Sequence, residues 1–183
     1  MPVRTDSTEF TSFLRDLRQT RRYTADPVPE EVLHDLLEVA RWTGSSKNSQ
    51  PWHFLVIREP ATLQRLSELG AFTSFVAGAT LAIAVVLDGK SPAAEWYDEG
   101  RAQERLMLAA KAHGLGSGTA WYSGDEPQRG VKELLGVPEP HVVRSVVAFG
   151  YPLDPTRHEK PGVQGGRKPL DELVRYERFD NQG

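Results

Sequence analysis

The chain has 183 residues, of which 39% are apolar and 26% charged, a composition typical of one soluble globular domain with its own core. The formal net charge of −3 gives no electrostatic argument for nucleic acid or an anionic membrane as a partner, and the lack of cysteine excludes disulfides, thiolate metal ligands and thiol nucleophiles. Because the first residues carry no signal-peptide pattern and the longest apolar run, 77–87, is too short to span a membrane, we expect a cytoplasmic location.

Two amphipathic helices are predicted in the first part of the chain. The spacing of apolar residues indicates a first helix over 7–17, with Asp6 and Glu9 as a capping pair. A second helix is predicted to begin at Pro29, followed by Glu30 and Glu31 in the first turn, where the helix dipole favours acidic side chains.

A polar loop follows the second helix. Residues 44–52 read GSSKNSQPW and lead into a strand predicted over 52–57. Ser45, Asn48 and Gln50 can each donate and accept hydrogen bonds, which suits the mixed donor and acceptor edge of a heteroaromatic ring. An ordinary connecting loop rich in Ser and Asn is the alternative interpretation.

The rest of the chain alternates unevenly between helical and strand patterns. The predicted elements are an amphipathic helical segment over 60–76, a buried strand over 81–87, a helix over 98–113, a short strand over 119–123, a helix over 125–135 and a last core strand over 142–149. The glycine-rich run 114–118 is expected to stop the third long helix, and Asp125 with Gln128 to cap the next one, which Gly136 ends. This uneven alternation favours an α+β fold over a regular parallel sheet.

The segment from Pro152 onward differs in composition from the rest. It carries several prolines and glycines and few apolar residues, so it cannot build a core of its own. Either it is loose, or it lies across another surface such as that of a second subunit. We find no internal repeat and no linker, and therefore expect a single domain over 1–183, in which 152–183 is a tail.

Several familiar motifs are incomplete. The glycines of 114–118 lack the dinucleotide-binding spacing, and the Gly-Lys-Ser run at 89–91 lacks the earlier glycine of a phosphate loop. There is no Gly-x-Ser-x-Gly motif, and Ser45 or Ser46 beside Lys47 would need adjacent loop residues to converge. The five histidines show neither paired helical spacing nor a carboxylate pattern typical of zinc sites, so no metal is expected. Without an acid–base constellation, catalysis would depend on a cofactor.

Two basic clusters could bind a phosphate group. The first comprises Arg18, Arg21 and Arg22, with Thr20 among them, and the second is the 167–168 pair in the tail. Guanidinium groups suit phosphate because their planar fork donates paired, charge-assisted hydrogen bonds. The alternatives are compensation of a helix dipole for the first cluster and an ordinary solvated surface for the second. Combined with the polar loop, the clusters indicate a cofactor with a phosphate and a ring.

These motifs, in this order, resemble the FMN-dependent nitroreductase family. The similar segments are RQTRRY (18–23), PVPEE (27–31), SSKNSQPWHF (45–54), GLGS (114–117), LLGVPE (134–139), FGYP (149–152) and RKPL (167–170). They cover nearly the whole chain. Gly44 departs from a proline that the family often has, and Gln19 stands where a serine is common.

The resemblance implies an α+β, nitroreductase-like fold with a central, mostly antiparallel sheet flanked by helices. It also implies a homodimer with FMN sites at the subunit interface, and a C-terminal segment that extends onto the partner subunit. The implied cofactor-binding residues are Arg18, Thr20, Arg21 and Arg22 for the phosphate and ribityl chain, Ser45, Asn48 and Gln50 near the ring, Gly116 and Ser117 through their backbone, and Arg167 and Lys168 closing on the phosphate.

The implied activity is that of an NAD(P)H-dependent flavin oxidoreductase. It would reduce nitroaromatics, quinones or related electron-poor small molecules by a ping-pong hydride mechanism, with the chemistry carried by flavin N5 and no catalytic side chain. Candidate walls of the acceptor pocket are Trp121 and Tyr122, or Phe72 and Phe75. The alternative is a flavin-binding protein without turnover, which sequesters FMN or senses redox state.

Overall fold

A four-stranded antiparallel sheet with helices on both faces forms the body of the protein. The computed structural model describes residues 7–155 and 167–179. The strands are β1 (Trp52–Ile57), β2 (Leu81–Leu87), β3 (Gly116–Trp121) and β4 (Val142–Gly150), and the helices are α1 (Ser7–Arg15), α2 (Glu30–Arg41), α3 (Pro60–Glu68), α4 (Pro92–Ala112), α5 (Asp125–Leu135) and α6 (Leu170–Leu173). Short 3-10 turns occupy Ser46–Asn48 and Ser74–Gly78. The predicted α+β class and the mostly antiparallel sheet are confirmed.

The strand order in the sheet is β1-β2-β4-β3, so β2 and β4 are central. All seven residues of β2 are buried, because β1 and β4 satisfy its backbone on both edges while helices cover both of its faces. A continuous apolar run suits this position, where each fully buried aliphatic side chain contributes about 1.5–3 kcal/mol.

Alternate residues of the sheet build two cores. Ile83 and Phe149 face α2 and α4, where Leu106 is completely buried. Ala84 and Val146 face α3 and α5 on the other side. The small residues on α4, including Ala102, Ala109 and Ala110, lie in the core and let that helix pack close to the sheet.

Several predicted boundaries are wrong, each for a local reason. Helix α1 ends at Arg15, two residues early, and α4 begins at Pro92, where a proline fits the first turn. The segment predicted as helical over 60–76 divides into α3 and a 3-10 turn.

The predicted Asp125–Gln128 cap is also wrong. Gly124 occupies the N-cap of α5, and the Gln128 amide instead donates to the Tyr122 carbonyl at 3.0 Å. Gly136 does end α5 in the left-handed conformation, with φ 65°. The Asp6 cap predicted for α1 lies outside the described residues.

Most of the described part of the tail is exposed. Helix α6 has no buried residue, and Leu170 and Phe179 are 74% and 90% exposed. Exposed apolar side chains of this size are consistent with a segment that packs on another surface. In residues 7–155 and 167–179, no helix has both the length and the apolar content that crossing a bilayer would require.

Candidate functional site

Two adjoining clefts open beside the segment that joins α1 to α2, and together they are named the arginine cleft. The first has a volume of about 860 Å³ and lies between the end of α1, the middle of α4 and Thr119 of β3. The second has a volume of about 390 Å³ and lies by the start of β3 and residues 152–155. Residues 16–19 line both. Volumes of this order accommodate cofactors and drug-sized ligands.

The basic segment reaches this cleft because it lies directly on the edge of the sheet. Gln19 pairs in parallel with Ser117 of β3, and the Thr20 amide donates to the Ser117 carbonyl at 2.7 Å. A Cβ atom on Gly116 would lie 2.6 Å from the Cβ of Thr20, and one on Gly118 would lie 2.7 Å from the Thr20 carbonyl oxygen. These glycines therefore allow a backbone approach that a side chain would block.

This contact also explains why β3 begins earlier than predicted. Gly116 and Ser117 pair with Gly150 and Phe149 of β4, so the first glycines of the run belong to the strand. The prediction that a strand begins only at Thr119 is wrong. Glycine is uncommon within strands except where another backbone approaches closely, and the extended segment at Thr20 approaches here.

Arg18 lines both parts of the cleft. Its Nη1 atom donates to the carbonyls of Arg15 and Leu17 at 2.6 and 2.7 Å, which caps the end of α1. Arginine carries five N–H donors, so the outer edge of the guanidinium is left for a ligand. Arg15 and Arg167 line the first cleft and Lys111 lines the second. The arginine cleft thus collects four cationic side chains.

Three of the predicted basic residues are not among those that line the cleft. The Arg21 guanidinium lies 5.7 Å from the centre of the Phe75 ring, on the α3 side of the sheet. The Arg22 carbonyl accepts a hydrogen bond from the Leu153 amide at 3.0 Å, and the Arg22 side chain is exposed. Lys168 is exposed next to Arg167. Their assignment to a cofactor stays a prediction.

Gly116, Ser117 and Thr20 line the second cleft, and their contact with a cofactor stays a prediction. Ser117 is 2% exposed and its carbonyl already accepts from Thr20. Tyr122, predicted as a possible pocket wall, is instead fully buried, and its hydroxyl donates to the Leu66 carbonyl at 3.1 Å. Trp121 and Phe72 are 46% and 87% exposed.

The polar loop has an unusual backbone. Lys47, Asn48 and Gln50 have φ values of 52°, 55° and 47°, in the left-handed region that non-glycine residues seldom occupy. The Ser45 hydroxyl accepts from the Gln50 amide at 2.8 Å, and the buried Asp98 carboxylate accepts from the Ser46 amide at 3.3 Å. Strained backbone of this kind is concentrated at functional sites. Asn48 and Gln50 are exposed, and the Gln50 side-chain amide donates to the Asn48 carbonyl at 3.4 Å.

Within one chain, helix α4 separates the polar loop from the arginine cleft. Residues 42–46 contact Asp98, Arg101 and Arg105. The cleft is lined by the stripe Gly100, Gln103, Glu104 and Met107. At 100° per residue the two sets point to opposite sides of the helix. The structure therefore does not bring Ser45, Asn48 and Gln50 to the arginines of the same chain.

The stripe on α4 is absent from the sequence-based site, although its helical spacing could have revealed it. Gln103 connects the cleft to a buried network: its amide donates to the Ser145 hydroxyl at 2.5 Å and to the Glu99 carboxylate at 3.1 Å. Burial raises the pKa of Glu99, while the Ser145 hydroxyl and the Arg144 guanidinium oppose that rise. This network fixes one wall of the cleft.

Comparison with known proteins identifies relatives over most of the chain. The model of the nitroreductase family matches residues 14–71 and 70–151. A protein of Archaeoglobus fulgidus, provisionally named NADH dehydrogenase/NAD(P)H nitroreductase, is 37% identical over 144 residues, which are 75% of this chain and 82% of the relative. A protein of Methanothermobacter thermautotrophicus with the same name is 31% identical over 157 residues, 82% of this chain and 78% of the relative.

Solved structures share the fold. A provisionally named nitroreductase from Desulfovibrio desulfuricans, solved in complex with FMN, has 28% sequence identity and a TM-score of 0.75, covering 92% of this chain and 96% of that one. An FMN-dependent nitroreductase from Clostridium difficile has 24% identity and a TM-score of 0.82, covering 92% of this chain and 99% of that one. The second likeness concerns the fold alone.

Proposed function

The chain belongs to the nitroreductase family, and on that premise we propose that it is an FMN-dependent oxidoreductase that uses NAD(P)H as its electron donor. The Archaeoglobus fulgidus relative carries NAD(P)H nitroreductase in its name, and the Desulfovibrio desulfuricans relative was solved with FMN. In this chain the observation that supports the proposal is the arginine cleft, whose two adjoining parts are lined by cations from α1, α4 and the tail, with Arg18 lining both.

The residues present fit FMN. A phosphate would find Arg18 with its outer donors available, Lys111 on α4 and Arg167 in the tail. Gly116 and Gly118 keep the adjoining backbone free of side chains, so Thr20 can lie at the rim of the cleft. Planar guanidinium groups are well matched to phosphate oxygens.

Bound FMN would supply the redox chemistry, accepting two electrons from NAD(P)H and passing them to a nitroaromatic, a quinone or a related electron-poor acceptor in two separate half-reactions. The chain itself would bind and orient. The amides of Asn48 and Gln50 would donate hydrogen bonds to the polar edge of the ring and stabilise negative charge that develops there. Ser45 would hold the loop in its strained conformation through the Gln50 amide.

The separation of loop and cleft by α4 leads to the second part of the proposal. Because one chain presents the two on opposite sides of a helix, a complete site needs the loop of a second copy. We therefore propose a homodimer with two shared sites. In this dimer, the exposed tail of each chain packs against the partner. The exposed apolar residues of the tail, such as Leu170 and Phe179, support that arrangement. The cytoplasmic location stays a prediction.

A subunit-mixing experiment tests whether the site is shared. Arg18→Ala and the double change Asn48→Ala with Gln50→Ala should each weaken FMN binding in pure form, so that few sites fill at an FMN concentration that saturates the wild type. Denaturing and refolding the two variants together should restore about one quarter of the wild-type sites, because half of the dimers are mixed and each mixed dimer holds one intact site. FMN titration counts the sites. No recovery would place both groups in the same chain and contradict the shared site.

A second experiment tests the phosphate assignment. Arg18→Ala should weaken FMN binding by roughly 10- to 150-fold, the value of one charge-assisted hydrogen bond, and leave riboflavin binding unchanged because riboflavin has no phosphate. Arg41→Ala is a matched control, since Arg41 is exposed, pairs with Glu38 and lies on α2 away from the cleft. An equal loss of riboflavin affinity would contradict a phosphate role for Arg18.

Turnover separates the enzyme from a flavin-sequestering protein. The FMN-loaded protein should consume NADH or NADPH rapidly when a quinone is present. A colourless preparation that FMN cannot reconstitute would end the proposal, and bound FMN without NAD(P)H consumption would favour sequestration or redox sensing.

A further inference from the structure

Two histidines and an aspartate that are far apart in sequence meet at one end of the sheet. Asp88 directly follows β2, His53 is the second residue of β1, and His141 directly precedes β4. The register pairs His53 with Val86, and Leu87 with Val142. Because side chains alternate along strands, all three residues fall on the same face of the sheet, the face that α5 covers.

The three side chains offer one ligand atom each, and these atoms lie within 4.8 Å of one another. The Nε2 atom of His53 lies 3.3 Å from Oδ1 of Asp88, and the centres of the two imidazole rings are 5.4 Å apart. Ligand atoms about 2.0–2.1 Å from a tetrahedral zinc ion are about 3.3 Å apart. The His53 side chain is 64% exposed, so it is free to adjust to that spacing.

One imidazole nitrogen in this cluster has no partner. Nδ1 of His141 is buried and accepts or donates no hydrogen bond within the described part of the chain. A buried polar atom of this kind costs stability unless something satisfies it. Coordination to a cation is one way to satisfy an imidazole nitrogen.

The surrounding backbone holds the cluster together. Gly89 has φ 77°, and a Cβ atom there would lie 2.0 Å from the Pro140 carbonyl oxygen, so this glycine lets the residue before His141 press against the residue after Asp88. The Lys90 ammonium donates to Oδ2 of Asp88 at 3.1 Å. That contact orients the carboxylate and leaves Oδ1 on the side of His53.

We propose that His53, Asp88 and His141 bind a divalent transition-metal ion, with Zn²⁺ as the ion that best suits the ligands. Two imidazoles and one carboxylate are a common zinc ligand set, which water or another ligand completes in the fourth position. The bound ion would link the start of β1, the end of β2 and the start of β4. The metal site lies on the β1 side of the sheet. The proposal of this site does not rest on the proposed function.

A pocket of about 300 Å³ adjoins this site. His53 and His141 line it together with apolar residues such as Phe54 and Val137. The open coordination position would therefore face an apolar surface.

Isothermal titration with Zn²⁺ tests the proposal, using the full chain with and without added FMN and free of any histidine tag. We expect one tight site per chain. His141→Ala and His53→Ala should each lower the affinity at least tenfold, since even indirect disturbance of a metal site costs about 10- to 100-fold. His113→Ala is a matched control. Nε2 of His113 also lies next to a carboxylate, that of Asp35 at 2.7 Å, but these two residues do not belong to the three-residue cluster. The Zn²⁺ affinity of this variant should therefore stay at the wild-type value.

Two further measurements distinguish the loss of a metal ligand from a general loss of folding. Asp88→Asn preserves shape and should also lower the affinity, while the far-ultraviolet circular dichroism spectrum shows that each variant is folded. Zn²⁺ should raise the melting temperature of the wild type and of His113→Ala, but not that of the variant lacking both His53 and His141. Wild-type affinity in that double variant, or the absence of a tight site in the wild type, would overturn the proposal.

Discussion

Replacing Gly116 with alanine tests whether the glycines of β3 are needed for the segment around Thr20 to pack against this strand. Gly116 does not have a positive φ, so its backbone conformation is open to any residue. The obstacle is steric: the new Cβ would lie 2.6 Å from both Cβ and Cγ2 of Thr20, against about 3.4 Å or more for ordinary contact. Thr20 cannot move freely, because its amide donates to Ser117 and its carbonyl accepts from the Tyr23 hydroxyl.

The expected cost follows from these contacts. Overpacking of this kind costs about 1–3 kcal/mol, and weakening the Thr20 hydrogen bond adds about 0.5–1.5 kcal/mol. Removing a glycine from a strand returns about 0.5–1 kcal/mol. The net free energy of unfolding should therefore fall by about 0.5–4 kcal/mol, which lowers the melting temperature by roughly 1–16 °C in a chain of this size.

Thermal unfolding and FMN titration provide the readouts. Gly78→Ala is the matched control, since a Cβ atom there meets nothing within 4 Å, and it should leave stability unchanged or slightly higher. Displacing Thr20 should also move Arg18 and weaken FMN binding, on the order of tenfold for a shift below 1 Å. If Gly116→Ala unfolds at the temperature of Gly78→Ala, the packing argument is refuted. Lower stability with unchanged FMN affinity would instead refute the role of this segment in the site.

Three further predictions concern buried polar groups. Thr73→Val should lower the free energy of unfolding by about 1–3 kcal/mol in urea titrations, because the buried hydroxyl of Thr73 bonds two backbone carbonyls and one amide. Burial raises the pKa of Tyr122, so the folded chain keeps a proton that the unfolded chain loses above about pH 10. The free energy of unfolding should therefore fall as the pH rises beyond that value, and it should fall less steeply in Tyr122→Phe. Burial also raises the pKa of Glu99, so ionisation of this carboxyl lowers the free energy of unfolding as the pH rises above 4.5. Ser145→Ala removes a hydrogen bond that opposes this rise in pKa, so the variant should lose more stability at pH 7 than at pH 4.

Local patterns in the sequence predicted the elements of the sheet well. The apolar run of β2 coincides with the buried central strand, and Gly136 ends α5 as its position after Leu135 predicts. The polar loop was singled out from residue types alone, and its backbone proves to be strained at Asn48 and Gln50. Each of these features depends on a few neighbouring residues, which is why a single sequence reveals it.

The order of motifs along the chain was also enough to predict the family, because seven short segments in a fixed order constrain the fold more than any one of them does. The start of β3 was predicted wrongly for the opposite reason. Whether Gly116 belongs to a turn or to a strand depends on Thr20, which lies almost a hundred positions earlier and packs against it.

What the sequence by itself determined, therefore, is where most of the helices and strands lie and to which family the chain belongs, while the residues expected to bind a phosphate and a ring stay predictions. Only the tertiary structure decided which of these residues meet. Strand register places His53, Asp88 and His141 together, and the rotation of 100° per residue along α4 puts the polar loop and the arginine cleft on opposite sides of one helix. Contacts of this kind join residues far apart in the chain, and their geometry is set by the packing of whole elements, which no local pattern encodes.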